Sequence, residues 1–389
     1  MSDNRLMSRY PSSAYLQDRA RRRLPGFVYD YLEGGSGRQS ALLRNTGVFD
    51  RVDLTPRYFN DCAAIDLNTQ LFGQSFKVPF GVAPIGMDGL ICPQAVSHLA
   101  RSAQQHGCPI VASTFSTSSL EEVARLAGEQ AWFQLYPFSD ARIESDIIER
   151  ARKAGYSVLV VTVDVPVGGR RERDMRNGLS LPPRPSLGLC TDLLRHPGWA
   201  LRQFRHGLPS FSNLHPYKRS SNDFLPAKVE GDVPWQRLEG FRRRWPGTLV
   251  VKGVLHPDDA RRCQEIGVDG IVVSNHGGRQ LDACPATLEA LPAIRQAVGP
   301  GFPLLVDSGL RSGLDVARAL AAGADFALLG RTFMYAMAAL GEAGADHSMR
   351  MLKEELENAL QMIRCPDITQ LKQWHTQNAV PMPGDNPNG

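Results

Sequence analysis

Eight short apolar runs punctuate the chain: "VPFGVAPIG" (78–86), "IVASTF" (110–115), "AWFQLY" (131–136), "VLVVTVD" (158–164), "LVVKGV" (249–254), "GIVVSNHG" (270–277), "PLLVDSG" (303–309) and "FALLGR" (326–331). Each is nearly continuous in hydrophobicity, which is how a strand reads when both of its faces are covered. Amphipathic segments such as "HPDDARRCQEIG" and "RSGLDVARALAAG" separate them. That alternation builds parallel sheets with helical crossovers. Eight units predict an α/β fold, a closed (β/α)8 TIM barrel over about 78–340, flanked by a helical segment (10–45) and a C-terminal helix and tail (344–389), all within one domain of 1–389. An open doubly wound sheet is the competing arrangement. Against it, no G-x-G-x-x-G follows the first run and no G-x-x-x-x-G-K-[ST] occurs.

One interval breaks the rhythm. Between "VTVD" and "LVVKG" the chain spends more than eighty residues, far beyond an ordinary strand-to-helix connection, so a long insertion (about 172–233) is expected after strand 4. Within it, residues 181–219 hold Arg184, Arg195, Arg202, Arg205, Lys218 and Arg219 against a single acid, Asp192, with Leu193, Leu194, Trp199, Leu201, Phe204 and Phe211 interleaved. Basic and apolar residues mixed over a length too short to span suit a surface lying on an anionic membrane. A mobile active-site lid or an oligomer contact would read the same way.

Composition narrows the function classes. With 389 residues, 42% hydrophobic and 22% charged, the chain is ordinary for a globular protein with a large core. A net charge of +4, 44 basic against 40 acidic residues, gives no reason to expect nucleic acid as a partner. The seven cysteines (Cys62, Cys92, Cys108, Cys190, Cys263, Cys284, Cys365) never form C-x-x-C. A reducing compartment and no metal site are expected. The first residues lack the apolar centre of a secretory signal, and no run of about 18 apolar residues appears, which predicts a cytoplasmic protein that does not span a membrane.

The polar residues cluster at one end of the runs. Gln134, Tyr136, Thr162, Asp164, Lys252, Ser274, His276, Asp307 and Arg331 all stand in the second half of a run or directly after it. In a barrel these carboxyl ends converge on one mouth, where active sites form.

With the runs in place, "SNHGGRQLD", "WFQLY", "TVD", "VKG", "DSGLRSG" and "LLGR" resemble the FMN-dependent 2-hydroxy-acid oxidases and dehydrogenases, from "LPGFVYDYLEGG" to "CPDITQL". Through "GRRERD", "FRHGLP" and "CPDITQL" the chain is most similar to the family's bacterial, membrane-associated (S)-mandelate dehydrogenase branch, with quinone-linked L-lactate dehydrogenases nearly as similar. The resemblance implies FMN, a small 2-hydroxy acid, a quinone or other electron acceptor, a homo-oligomer (a tetramer in the family) and a peripheral position on the inner face of the cell membrane through residues 181–219. It makes His276 the base, a task suited to a neutral imidazole, with Asp164 orienting it. Arg279 and Arg171 become the carboxylate clamp, Tyr31 a further donor, and Tyr136 the partner of the reacting oxygen. For the flavin it implies Pro84, Ile85 and Gly86 next to the cofactor, Ser113, Gln134, Thr162 and Ser274 at the ring edges, and Lys252 beside N1 and the C2 carbonyl. Asp307, Gly309, Arg311, Gly330 and Arg331 would hold the phosphate, after strands 7 and 8 where such barrels bind it.

Three positions bear on substrate and acceptor. Phe115 stands where glycolate oxidases have tryptophan, and Gly168 where they have leucine, so a roomier cavity and a bulky, aromatic 2-hydroxy acid are expected. Gly86 takes a position that is glycine in the dehydrogenases and alanine in the oxidases; a missing methyl group alters packing beside the flavin, and a quinone rather than oxygen as acceptor is what the resemblance implies. Lactate oxidation and oxygen-linked oxidation are the near alternatives. From other classes come a Schiff-base lyase built on Lys252 and a non-catalytic barrel whose basic loop binds membranes.

Overall fold

The computed structural model describes residues 3–178, 187–207, 209–217, 229 and 231–378. All eight runs form strands: β1 (Phe80–Val82), β2 (Ile110–Ser113), β3 (Ala131–Leu135), β4 (Val158–Thr162), β5 (Thr248–Val254), β6 (Gly270–Val273), β7 (Leu304–Val306) and β8 (Phe326–Leu329). Each pairs in parallel with the next, and β8 returns to β1 with Leu328 opposite Gly81. The barrel is therefore closed, and the open sheet is excluded.

Strand residues point alternately inward and outward. Val111, Trp132, Val158, Val160, Val250, Val272, Leu305, Phe326 and Leu328 fill the interior, while the other set packs under the helices. A hairpin, Thr69–Leu71 with Gln74–Phe76, closes the amino-terminal end of the barrel. Its turn residues Phe72 and Gly73 both have positive φ (52° and 75°), the conformation a two-residue hairpin turn requires. The rings of Phe72 and Phe76 lie 5.7 and 6.0 Å from that of Trp132. The hairpin fell below the length at which hydrophobic alternation reveals a strand.

Four helices precede the hairpin: Asp3–Arg9, Ser13–Arg23, Gly26–Glu33 and Ser40–Gly47. Arg19 and Arg23 donate to the Ala339 carbonyl near the end of helix Arg331–Leu340 (2.8 and 2.5 Å), where cations offset the helix dipole. Helices Ala343–Ile363 and Ile368–Asn378 complete the outer layer.

The insertion is docked rather than free in its described parts. Helix Pro197–His206 buries Trp199 and Gln203, whose side chains donate to Leu90 O (3.0 Å) and Gly89 O (2.7 Å). Ser212–Tyr217 forms a 3-10 turn whose Asn213 accepts from Leu120 N (2.7 Å) and donates to Ser113 O (3.1 Å). Trp199 and Phe211, read above with the membrane-facing residues, thus turn inward. Leu194, Leu201 and Phe204 remain exposed (80%, 50% and 86%). Arg184, Lys218 and Arg219 lie outside the described residues. Among the described residues no helix is long and apolar enough to cross a membrane.

Candidate active site

A cavity of about 700 Å³ opens at the carboxyl ends of the strands. One side is dominated by the turn after β6. Asn275 lies two residues past the strand and caps the turn, and His276, Gly277 and Gly278 follow with φ of 59°, 67° and 71°. Left-handed backbone costs a non-glycine residue about 1–2 kcal/mol, so the histidine needs external support. Asn45 and Asn275 supply it by exchanging two buried amide bonds (2.8 and 2.7 Å), while Ser274 and Ser308 receive His276 N and Gly277 N (3.1 and 2.9 Å). The glycines are needed for close approach as well as for φ: a Cβ on Gly277 would stand 2.7 Å from an Arg331 nitrogen, and one on Gly278 2.7 Å from Leu42 N.

Held this way, the imidazole meets a carboxylate from β4 and a phenol from β3. Nδ1 lies 2.8 Å from Asp164 Oδ1, and Nε2 lies 3.3 Å from the Tyr136 hydroxyl. Burial alone would raise the Asp164 pKa, but His276 and Lys252 outweigh it and hold the carboxyl below its ordinary value. The carboxylate fixes the proton on Nδ1 and leaves Nε2 free as an acceptor. Burial pushes the Tyr136 hydroxyl far above its ordinary pKa, with Asp164 adding to the effect. Tyr136 therefore stays a neutral donor.

Two guanidiniums complete this side. Arg279 donates to Tyr31 O and Gly34 O (2.7 and 2.9 Å) and lies 4.8 Å over the Tyr31 ring; Arg171 stands 5.9 Å from the same ring and pairs with Asp174 at 3.4 Å. Burial, and then repulsion from Arg171, lower the Arg279 pKa. Such a pair is suited to a bound carboxylate. Tyr31 itself donates to Gly86 O at 3.0 Å. The Phe115 ring lies 5.1 Å from Tyr136 and 5.2 Å from Phe211, and a Cβ on Gly168 would meet none of the described residues within 4 Å.

The other side is lined by Ala83, Pro84, Ile85, Gly86, Ser113, Thr162, Lys252, Asp307, Gly309, Arg311, Gly330 and Arg331. Lys252 Nζ donates to Ser274 Oγ (2.8 Å) and faces Asp307 (3.2 Å) and Asp164 (3.8 Å). Burial would lower its pKa, but Asp307 and Asp164 raise it above the ordinary value. A lysine kept protonated in this way is a poor nucleophile, which counts against the Schiff-base reading. Gln134 and Ser274 stand one layer behind the wall: Gln134 bridges Ser113 and Thr162 (3.0 and 2.9 Å), and Ser274 supports Lys252 and His276 N. Arg331 gives three donors to carbonyls of Leu32, Gly277 and Gly34 (3.0, 3.0 and 2.9 Å). Its guanidinium thus ties the amino-terminal helices to the histidine turn, and burial brings its pKa down to about 10. Arg311 is freer, with one bond to Leu310 O at 3.0 Å.

The FMN-dependent dehydrogenase family matches residues 20–378. The chain belongs to this family. It is 40% identical over 348 residues to an L-lactate dehydrogenase of Stenotrophomonas maltophilia, covering 88% of this chain and 92% of that one. Among solved structures, the monotopic membrane protein (S)-mandelate dehydrogenase superposes with a TM-score of 0.89 at 36% identity, covering 94% and 98% of the two chains. A mandelate oxidase superposes with a TM-score of 0.80, also at 36% identity, over 94% and 98%. The protein is thus an oxidoreductase of the 2-hydroxy-acid dehydrogenase type with FMN as its cofactor.

The cavity fits that cofactor. It offers a buried, protonated lysine at the end of β5, Arg311 beside the cavity, and the amino-terminus of helix Arg331–Leu340 at Gly330, a setting suited to a phosphate. Asn45, Asn275, Ser308 and Phe211 also shape the site and were not singled out for it from the sequence. Asn45 lies 230 residues from its partner, so no local signal marks it.

Proposed function

We propose that the protein oxidises an (S)-2-hydroxy acid with a bulky aromatic side chain, mandelate or a near analogue, to the 2-oxo acid and passes the electrons to a membrane quinone. The observation that carries this reading is the aromatic wall of Phe115, Tyr136 and Phe211, which lines the same cavity as Gly168, where a Cβ would meet none of the described residues, and as His276 and the two arginines. Arg279 and Arg171 bind the carboxylate, with Tyr31 beside them. Tyr136 donates to the substrate oxygen. His276 Nε2 takes up a proton released as the alcohol becomes a carbonyl, and Asp164 stabilises the imidazolium. FMN, when bound, accepts the two electrons. Lys252, Ser113 and Thr162 would hold its ring, with Gln134 and Ser274 bracing them; Pro84, Ile85 and Gly86 would lie beside it; and Asp307, Gly309, Arg311 and Gly330 would frame the phosphate end, with Arg331 bracing the wall there.

The acceptor reading draws on the insertion. Helix Pro197–His206 docks through Trp199 and Gln203 and turns Leu201 and Phe204 outward, with Leu194 exposed on the preceding helix, Leu187–Arg195, and Arg195 and Arg205 close in sequence. An apolar ridge with basic neighbours suits an anionic bilayer, where a lipid-dissolved quinone is within reach. Lactate is the second reading, favoured by the 40% identity to an L-lactate dehydrogenase of Stenotrophomonas maltophilia. Steady-state comparison of (S)-mandelate with L-lactate, using a soluble quinone analogue and oxygen as rival acceptors, separates these readings. A preference for lactate would transfer the assignment, and rapid peroxide formation would make the protein an oxidase.

A further inference from the structure

Asp88 opens the single helical turn Asp88–Ile91 after β1 and is completely buried. Among the described residues its hydrogen-bond partners are all neutral. Oδ1 accepts from Thr117 N (2.7 Å) and Ser116 Oγ (3.1 Å), and Oδ2 from Thr117 Oγ1 (2.9 Å) and Val96 N (3.4 Å). Burying a carboxylate without a cation is expensive, so the group invites a reason beyond filling space.

What the carboxylate joins supplies one. Ser116 and Thr117 belong to the turn after β2 that carries Phe115, whereas Asp88 belongs to the turn after β1 that carries Gly86. The two turns touch directly: Met87 N donates to Phe115 O (3.0 Å), Gly89 N to Thr117 Oγ1 (3.0 Å), and a Cβ on Gly86 would stand 3.2 Å from the Phe115 Cβ. Gly86 and Phe115 both face the cavity, and Gly86 O receives the Tyr31 hydroxyl. Phe115 in turn supports the rings of Tyr136 and Phe211. Asp88 is thus one layer behind the wall against which the substrate side chain rests.

We propose that Asp88 is a positioning residue for substrate specificity: by tying the β2 turn to the β1 turn it fixes Phe115 against Gly86, and so sets the depth and rigidity of the side-chain pocket. The proposal rests on the 2-hydroxy-acid reading of the site, not on which acid the wild type prefers. Asp88→Asn keeps the volume, and three of the four bonds survive once the Thr117 hydroxyl reverses to accept from the amide. Asp88→Ala removes all four.

The test uses the FMN-loaded protein, with kcat and KM measured for (S)-mandelate and L-lactate alongside thermal unfolding. In Asp88→Ala the ratio of kcat/KM for mandelate to that for lactate should fall at least about tenfold from its wild-type value, as a lost apolar fit does, mainly through the mandelate KM. Asp88→Asn should return most of it. Thr117→Val, which removes one hydroxyl from the tie and keeps the side-chain shape, should shift the ratio in the same direction and serves if the alanine variant does not fold. An unchanged ratio in a folded Asp88→Ala or in Thr117→Val overturns the proposal, as does an equal loss of kcat on both acids with KM constant. A wild-type protein that prefers lactate would overturn the mandelate reading and leave the expected change of ratio as it stands.

Discussion

Asp164→Asn tests the working part of the site with little change of shape. The carboxylate lies 2.8 Å from His276 Nδ1 and 3.8 Å from Lys252. When His276 takes up a proton, an ion pair forms where a hydrogen bond from a neutral imidazole to the carboxylate stood. Two unit charges about 4 Å apart at an effective dielectric near 20 attract by about 4 kcal/mol. Lys252 already draws on the same carboxylate, so the part lost on substitution is taken as about 3–4 kcal/mol, or about 10²- to 10³-fold in rate. A second effect acts in the same direction. An amide can turn its NH2 toward Nδ1 and so move the imidazole proton to Nε2, where the base must be free. The assay is anaerobic stopped-flow reduction of the bound flavin at saturating substrate, with the oxidised spectrum confirming that FMN is retained. Reduction within about tenfold of the wild-type rate would refute the role given to Asp164.

Three further outcomes follow from the same geometry. Gly168→Leu fills space in which a Cβ meets none of the described residues, and should lower kcat/KM for mandelate by about tenfold to two-hundredfold while sparing lactate; parallel losses on both acids would speak against a side-chain pocket there. Replacing exposed Leu201 and Phe204 by serine should weaken sedimentation with anionic vesicles by about tenfold or more, since each apolar side chain contributes about 1.5–3 kcal/mol when buried, and equal pelleting would remove this ridge from the membrane reading. Burial pushes the Glu355 carboxyl up to about 7, against the bond from Gly313 N, and the nearby Asp315 adds to the rise. The folded protein then holds a proton that the unfolded chain has released, so this group's contribution is full below about pH 4.5 and declines as pH rises through about 7, by at most about 3 kcal/mol. Glu355→Gln should flatten the thermal stability of the protein over that interval, and an unaltered slope would contradict the assignment.

The strands were legible because each is buried on both faces and ends in polar residues, so hydrophobic runs marked the barrel and their carboxyl ends marked the mouth. His276, Asp164, Tyr136 and Lys252 meet as expected because neighbouring parallel strands in register present their ends at one level. The supports were not legible. Asn45 reaches Asn275 only because helix Ser40–Gly47 packs on the histidine turn, and Arg331 spends its donors on backbone carbonyls rather than reaching into open space. The insertion misled in a different way. Its mixture of basic and aromatic residues carries no period that separates the inward Trp199 and Phe211 from the outward Phe204 until the helix is docked on Gly89 and Leu90.

The most direct test of the account is anaerobic titration of the FMN-loaded protein with (S)-mandelate, (R)-mandelate and L-lactate, followed by a quinone analogue or by oxygen. The account predicts complete bleaching of the flavin by (S)-mandelate, slower bleaching by lactate, none by the (R) acid, and fast reoxidation by the quinone alone. A flavin that no 2-hydroxy acid bleaches would contradict the placement of His276 and the two arginines around a single substrate.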